Sequence, residues 1–190
     1  FKNPESEVII ELHWKLSNRQ WFNFRDAGRF VSENLCSVEF CGNKYRVLNQ
    51  EVELLYLVIH GGVHRWGVLK WLVDIQRYLE ISGFDREKFS ALVKWFGCGR
   101  MVSLCNRMLE EYFPGTPALP GGTHLPGYMD RMAKEAIESP SCGGPGSILE
   151  ILRVMPYSLL VYPGVRYKMR VLSMISGNSL FNGRLSRFFD

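Results

Sequence analysis

Hydrophobic and polar positions divide the chain into a β-patterned beginning and a longer helical remainder. In "VIIELHWKL", residues 8–16, Val8, Ile10, Leu12, Trp14 and Leu16 alternate with Ile9, Glu11, His13 and Lys15. A period of two predicts a half-buried strand. "WFNFRDAGRFVSENL" places Trp21, Phe22, Phe24 and Phe30 without a firm period, and a loop and a short helix both fit it. "VEFCGNKYRVL" reads as two β-prone runs around Gly42-Asn43, residues with the turn chemistry of a hairpin.

From Asn49 the period becomes helical. Asn49 is a predicted cap, with Glu51 and Glu53 in the first turn, where carboxylates suit the positive end of the helix dipole. Leu54, Leu55, Leu57, Val58 and Ile59 then form an almost wholly apolar run, the mark of a helix buried on most sides. Gly61, Gly62 and Gly67 weaken the pattern. The helix is therefore expected to end between Gly61 and Gly67, with a second from about Val68 to Ile81 before Ser82-Gly83. Asp85 should cap a third helix carrying Phe89, Leu92, Val93 and Phe96, and "RMVSLCNRMLEEYF" should form a fourth, ended by Pro114. Residues 114–127 have loop composition. Helical patterns return from about Tyr128 to Glu138 and in "SILEILRVMPYSLL", where Pro156 kinks or ends the helix. The basic residues of the tail, among them Arg166, Lys168, Arg170, Arg184 and Arg187, read as a solvated or docked terminus.

The pattern thus predicts an α+β, mostly α-helical chain: a small β region over residues 1–49 and a helical domain over 50–190. Its 190 residues are enough for a real core, and no apolar run is long enough to span a membrane. A net charge of +4 does not by itself announce a nucleic-acid partner, and a nucleic-acid groove is the minor option for the basic tail. Five cysteines without a C-x-x-C pair, and the lack of a leader pattern at the start, point to a reduced cytoplasmic protein.

Several residues are candidates for chemistry. Glu11 and His13 share a strand face, roughly 6–7 Å apart along it. A carboxylate there faces either solvent or a cleft. His60 and His64, four apart, share a helix face in "HGGVHRWGVLKWLVDI". Three readings stay open for them: a zinc pair, for which the intervening Gly-Gly-Val supplies no catalytic glutamate; hydrogen-bonded imidazoles inside a bundle; and, with Arg65, a polar cluster meeting triphosphate oxygens at a cleft. Lys70 and Asp74 are spaced for a helix-surface ion pair. Trp66, Trp71 and Trp95 sit at helical positions and read as core or interface before base-stacking platforms.

The strand "VIIELHWKL" and the segment "EVELLYLVIHGGVHRWGVLKWLVDI" together resemble the uncharacterised nucleotidyltransferase family of bacteria, a branch of the polymerase-β-like nucleotidyltransferase superfamily. The family pairs a "vDLHW" strand with an "LLxLxxHxxxHRWxxLKWLxDI" helix pair, matched here over residues 8–16 and 51–75. The resemblance implies transfer of a nucleotidyl group from an Mg²⁺-bound nucleoside triphosphate to an unknown acceptor. Glu11 would be the third metal ligand and the catalytic carboxylate. His13, His60, His64, Arg65, Lys70 and Asp74 would line the substrate site. The superfamily takes its first two carboxylates from an Asp-x-Asp strand after a Gly-Ser turn, and no Asp-x-Asp occurs in this sequence. With Phe1 as the first residue, the expectation is the C-terminal part of a longer protein, inactive alone because one carboxylate cannot hold two Mg²⁺ ions. The alternative from another class is a non-catalytic helical interaction module with a protein partner.

Overall fold

A computed structural model describes residues 27–81, 83–138 and 148–161, together with 168, 169 and 172. The strand expected at residues 8–16, with Glu11 and His13, lies outside them. The described chain is mostly helical with one small antiparallel sheet, the α+β class expected. Its elements are α1 (Ala27–Glu33), β1 (Leu35–Phe40), β2 (Asn43–Leu48), α2 (Gln50–Val63), α3 (Lys70–Ile81), α4 (Arg86–Phe96), α5 (Gly99–Tyr112), α6 (Gly127–Glu138) and α7 (Ile148–Leu160).

β1 and β2 form the hairpin, with Val38 opposite Tyr45 and Phe40 opposite Asn43. The turn centre is Cys41-Gly42, one residue earlier than the sequence suggests. Both residues have positive φ, 50° and 73°. A two-residue turn of this hand takes glycine at its second position, so Gly42 fixes Cys41 as the first. Asn43 opens β2, and its Nδ2 supports the turn by donating to the Cys41 carbonyl at 3.2 Å. The hairpin's base is tied to the next helix: the Asn49 N–H donates to the Asn34 carbonyl at 2.8 Å, and the Asn49 amide donates to Asn34 Oδ1 at 3.0 Å. Asn49 Oδ1 also accepts from the Val52 N–H at 3.1 Å, as its capping role predicts.

α2 is the central helix. It packs on α3, α4 and α5, and α5 in turn carries α6. Leu54, Leu55, Val58 and Ile59 of α2 join Leu72 and Ile75 of α3, Phe89 and Val93 of α4, and Met101, Leu104, Cys105 and Met108 of α5 in one buried cluster. Burial pushes the Cys98 thiol up to about 12 and that of Cys105 up as well, so both remain neutral packing groups. Asp85 caps α4, accepting from Glu87 and Lys88 N–H groups at 3.0 Å each.

The loop after α5 is held in place by side chains. Asn106 accepts from the Leu119 N–H at 2.8 Å and donates to the Leu119 carbonyl at 2.9 Å, while Ser103 donates to the Thr123 carbonyl at 2.6 Å. Pro156 sits inside α7 without ending it, and the Tyr128 hydroxyl donates to the Pro156 carbonyl at 2.7 Å.

Glu51 does more than face the helix dipole. The residue is 7 % exposed, and its carboxylate pairs with Lys88 at 2.7 Å and accepts from the Asp85 N–H at 3.0 Å, joining the starts of α2 and α4. Burial pushes this carboxyl up, but the Lys88 and Asp85 hydrogen bonds outweigh burial and leave it below its ordinary value. A carboxyl depressed in the fold adds stability above its unfolded value and loses that contribution as pH falls through the folded value. Because the Lys88 end is open to water, Glu51→Gln is expected to cost about 1–2 kcal/mol at pH 7. In parallel melts of the two proteins, the gap should shrink steadily below about pH 4. A gap that stays constant as the pH falls would assign the effect to packing.

Candidate functional site

The site is built at the junction of α2 and α3. In sequence, Gly61 and Gly62 look like flaws in a helix. In the fold, α2 runs through both to Val63, and each glycine is required by what lies against it. A β-carbon on Gly61 would sit 2.1 Å from the Trp66 ring, and one on Gly62 would sit 2.9 Å from the Met101 side chain. No Cβ fits at the first distance. The glycines therefore make room for an indole and for α5.

Trp66 reaches Gly61 because the chain reverses sharply after α2. Arg65 and Trp66 both adopt the left-handed region, at φ 58° and 56°. Such a conformation costs a non-glycine residue roughly 1–2 kcal/mol, so two in succession persist only when surrounding contacts enforce them. Two kinds of contact do so here. The Trp66 N–H donates to the Gly61 carbonyl at 2.8 Å, and the Arg65 N–H to the Gly62 carbonyl at 3.3 Å. The Trp66 side chain is fully buried. Trp66 is thus core, as expected, but on a reverse turn and not on a helix. Its indole Nε1 is buried without a hydrogen-bond partner. The Tyr157 hydroxyl of α7 donates to the Gly62 carbonyl, clamping the same turn from outside α2 and α3.

The reversal gathers aromatic and basic side chains. The His60 and His64 rings, from the last turn of α2 and its C-cap, lie 4.9 Å apart, centroid to centroid, as their four-residue spacing predicts. Trp71 of α3 packs edge-on to His60 at 5.0 Å and tilted against His64 at 5.3 Å. Tyr56, one turn back on α2, lies 5.8 Å from His60, and burial pushes its hydroxyl upward, keeping it neutral. His60, His64, Arg65 and Trp71 are all half-buried. Imidazoles and a guanidinium offer hydrogen-bond donors suited to anionic oxygens, and the guanidinium offers them in a fork that fits phosphate.

Lys70 and Asp74 are one turn apart on α3 and form the ion pair their spacing allows, at 2.6 Å, with the lysine side chain 73 % exposed. A solvated i,i+4 pair of this kind contributes only about 0.3–0.5 kcal/mol. Trp95, read as core or interface, is 65 % exposed and stacks on Phe30 at 5.4 Å. Among the described residues, no group of three or more His, Cys, Asp or Glu side chains could hold a metal ion, so they do not by themselves fit a magnesium site.

Two contributions to the site carry no local signal in the sequence. Trp71 packs against the core, as expected, and also touches both imidazoles, while Tyr157 lies 95 residues from its acceptor. The i,i+11 and i,i+7 offsets from His60 and His64 to Trp71 cross a reversal whose geometry no periodicity encodes.

The model of the uncharacterised nucleotidyltransferase family matches residues 1–114, which reach from the segment holding Glu11 to just past the end of α5. The chain belongs to that family. The match extends beyond residues 8–16 and 51–75, where the motifs are evident by eye, to include α4 and α5. No curated protein and no solved structure matches the chain. No helix among the described residues is long and apolar enough to cross a membrane.

Proposed function

We propose that the chain is part of a nucleotidyltransferase that transfers a nucleotidyl group from an Mg²⁺-bound nucleoside triphosphate to an acceptor, with the α2–α3 reversal meeting the triphosphate. One observation carries the reading: in a member of a nucleotidyltransferase family, two residues held in the left-handed region, Arg65 and Trp66, follow directly on the His60–His64 ring pair. Backbone strain of this kind concentrates at functional positions, and here it shapes a basic corner suited to polyphosphate oxygens. Lys70 and Asp74 would border the corner, the lysine adding positive charge. Glu11 would supply a metal ligand and His13 a contact to the substrate. The chemistry supplied by Mg²⁺ would be charge neutralisation on the triphosphate.

The test is Glu11→Gln in the complete product of the reading frame, which removes charge but keeps shape. Pyrophosphate release from a labelled triphosphate should fall by several orders of magnitude while circular dichroism stays native. Unchanged turnover with a native spectrum would remove Glu11 from the metal site.

A second reading, a non-catalytic interaction module, is favoured by the hairpin. Val38, Phe40 and Tyr45 lie on one face of it and are 40 %, 68 % and 48 % exposed, an apolar surface of the kind that meets a protein partner.

A further inference from the structure

We propose that Trp71 is a positioning residue that fixes His60 and His64 as one preformed donor pair for the anionic oxygens of a polyphosphate. The inference deepens the nucleotidyltransferase reading and rests on it for the identity of the ligand.

The geometry behind it is a closed triangle of rings. His60 to His64, His60 to Trp71 and His64 to Trp71 are 4.9, 5.0 and 5.3 Å between centroids. Two of the three rings come from the last turn and the C-cap of one helix, a spacing that brings them together but does not by itself set the orientation of either ring. The third ring comes from another helix and touches both. Its edge-on contact with His60, at 88°, and its tilted contact with His64, at 43°, are different constraints on two different rings. A rotation of either imidazole therefore breaks a contact with the indole.

The indole is itself well anchored. Trp71 lies in the first turn of α3, where its N–H donates to the Val68 carbonyl at 3.1 Å, and it packs against the core cluster directly before the fully buried Leu72. Rings held this way lose little freedom when a ligand arrives, and that preorganisation raises affinity without a new contact to the ligand. Trp71 thus acts through the histidines. This distinguishes it from a tryptophan that only fills space.

The experiment uses the 190-residue chain with two variants: Trp71→Met, which fills volume without a ring, and Trp71→Phe, which keeps one. Proton NMR reads nuclear Overhauser contacts among the His60, His64 and residue 71 rings, and calorimetry reads binding of inorganic triphosphate. In the wild type, contacts from the indole to both imidazoles are expected. Trp71→Met should lose the imidazole–imidazole contact and bind triphosphate about tenfold more weakly, whereas Trp71→Phe should keep the contact and bind within about threefold of wild type. Persistence of the imidazole contact and of full binding in Trp71→Met would overturn the proposal, whatever happens to the melting temperature. If Trp71→Met does not fold, absence of indole–imidazole contacts in the wild type would overturn it as well. If the wild type binds no triphosphate, the nucleotidyltransferase reading of this corner falls, and the ring contacts in the variants still decide whether Trp71 positions the histidines.

Discussion

Gly61→Ala is expected to destabilise the protein by about 3 kcal/mol, although alanine is the better helix former by about 1 kcal/mol. The added methyl would lie 2.1 Å from one carbon of the Trp66 ring and 2.3 Å from the next, and Trp66 is fully buried in the core. Relief would require moving the indole, which is the residue that holds the left-handed turn shut. The cost should therefore appear both as a lower melting temperature and as disturbed His60 and His64 resonances, because both imidazoles flank the turn. A double-mutant cycle with Trp66→Ala isolates the cause. With the indole gone, Gly61→Ala should become neutral or mildly stabilising, giving an interaction energy of roughly 2–3 kcal/mol. Equal penalties in both backgrounds would mean that helix α2, and not the indole, sets the requirement for glycine.

Among the described residues Trp66→Ala should be the most damaging single truncation, at about 3–5 kcal/mol, since it empties the largest fully buried side-chain site there. It would also release Arg65 and residue 66 from the left-handed region that the buried indole enforces. Trp66→Phe is expected to cost much less. It gives up part of the ring but removes an indole N–H that is buried without a partner, and burying such a donor costs about 1–3 kcal/mol. Chemical denaturation of the two variants beside wild type measures the contrast. A Trp66→Phe protein as unstable as Trp66→Ala would mean that the indole N–H finds a partner in solution.

The ends of the helices are legible in the sequence because local chemistry sets them. Asn49 and Asp85 cap α2 and α4 through bonds to N–H groups two or three residues away, and Ser82-Gly83 follows directly on the end of α3. The four-residue helical spacing likewise brings His60 and His64 together. What the sequence conceals is set by distant partners. Gly61 and Gly62 lower helix propensity, and it is the indole of Trp66 and the side chain of Met101 that leave no room for a larger residue there. Glu51 has the position of a first-turn carboxylate, but Lys88, 37 residues on, makes it a tie between helices. The reversal at Arg65-Trp66 violates the usual preference of bulky residues for negative φ, so no rule of local propensity would place it there. Local rules fail at the same corner where the ring triangle and the basic residues meet, the pattern expected when a site is built at the expense of ideal geometry.

Arg65→Gly tests the central claim most directly, because glycine adopts positive φ without strain and so removes the guanidinium while sparing the turn. The measurement is a calorimetric titration of the 190-residue chain and of this variant with inorganic triphosphate, alongside their melting temperatures. The expected result is saturable binding by the wild type, weakened at least tenfold in Arg65→Gly, in line with the loss of one charge-assisted hydrogen-bonding group, with melting shifted by no more than a few degrees. No binding by the wild type, or equal binding by both proteins, would contradict the assignment of the α2–α3 reversal to the triphosphate.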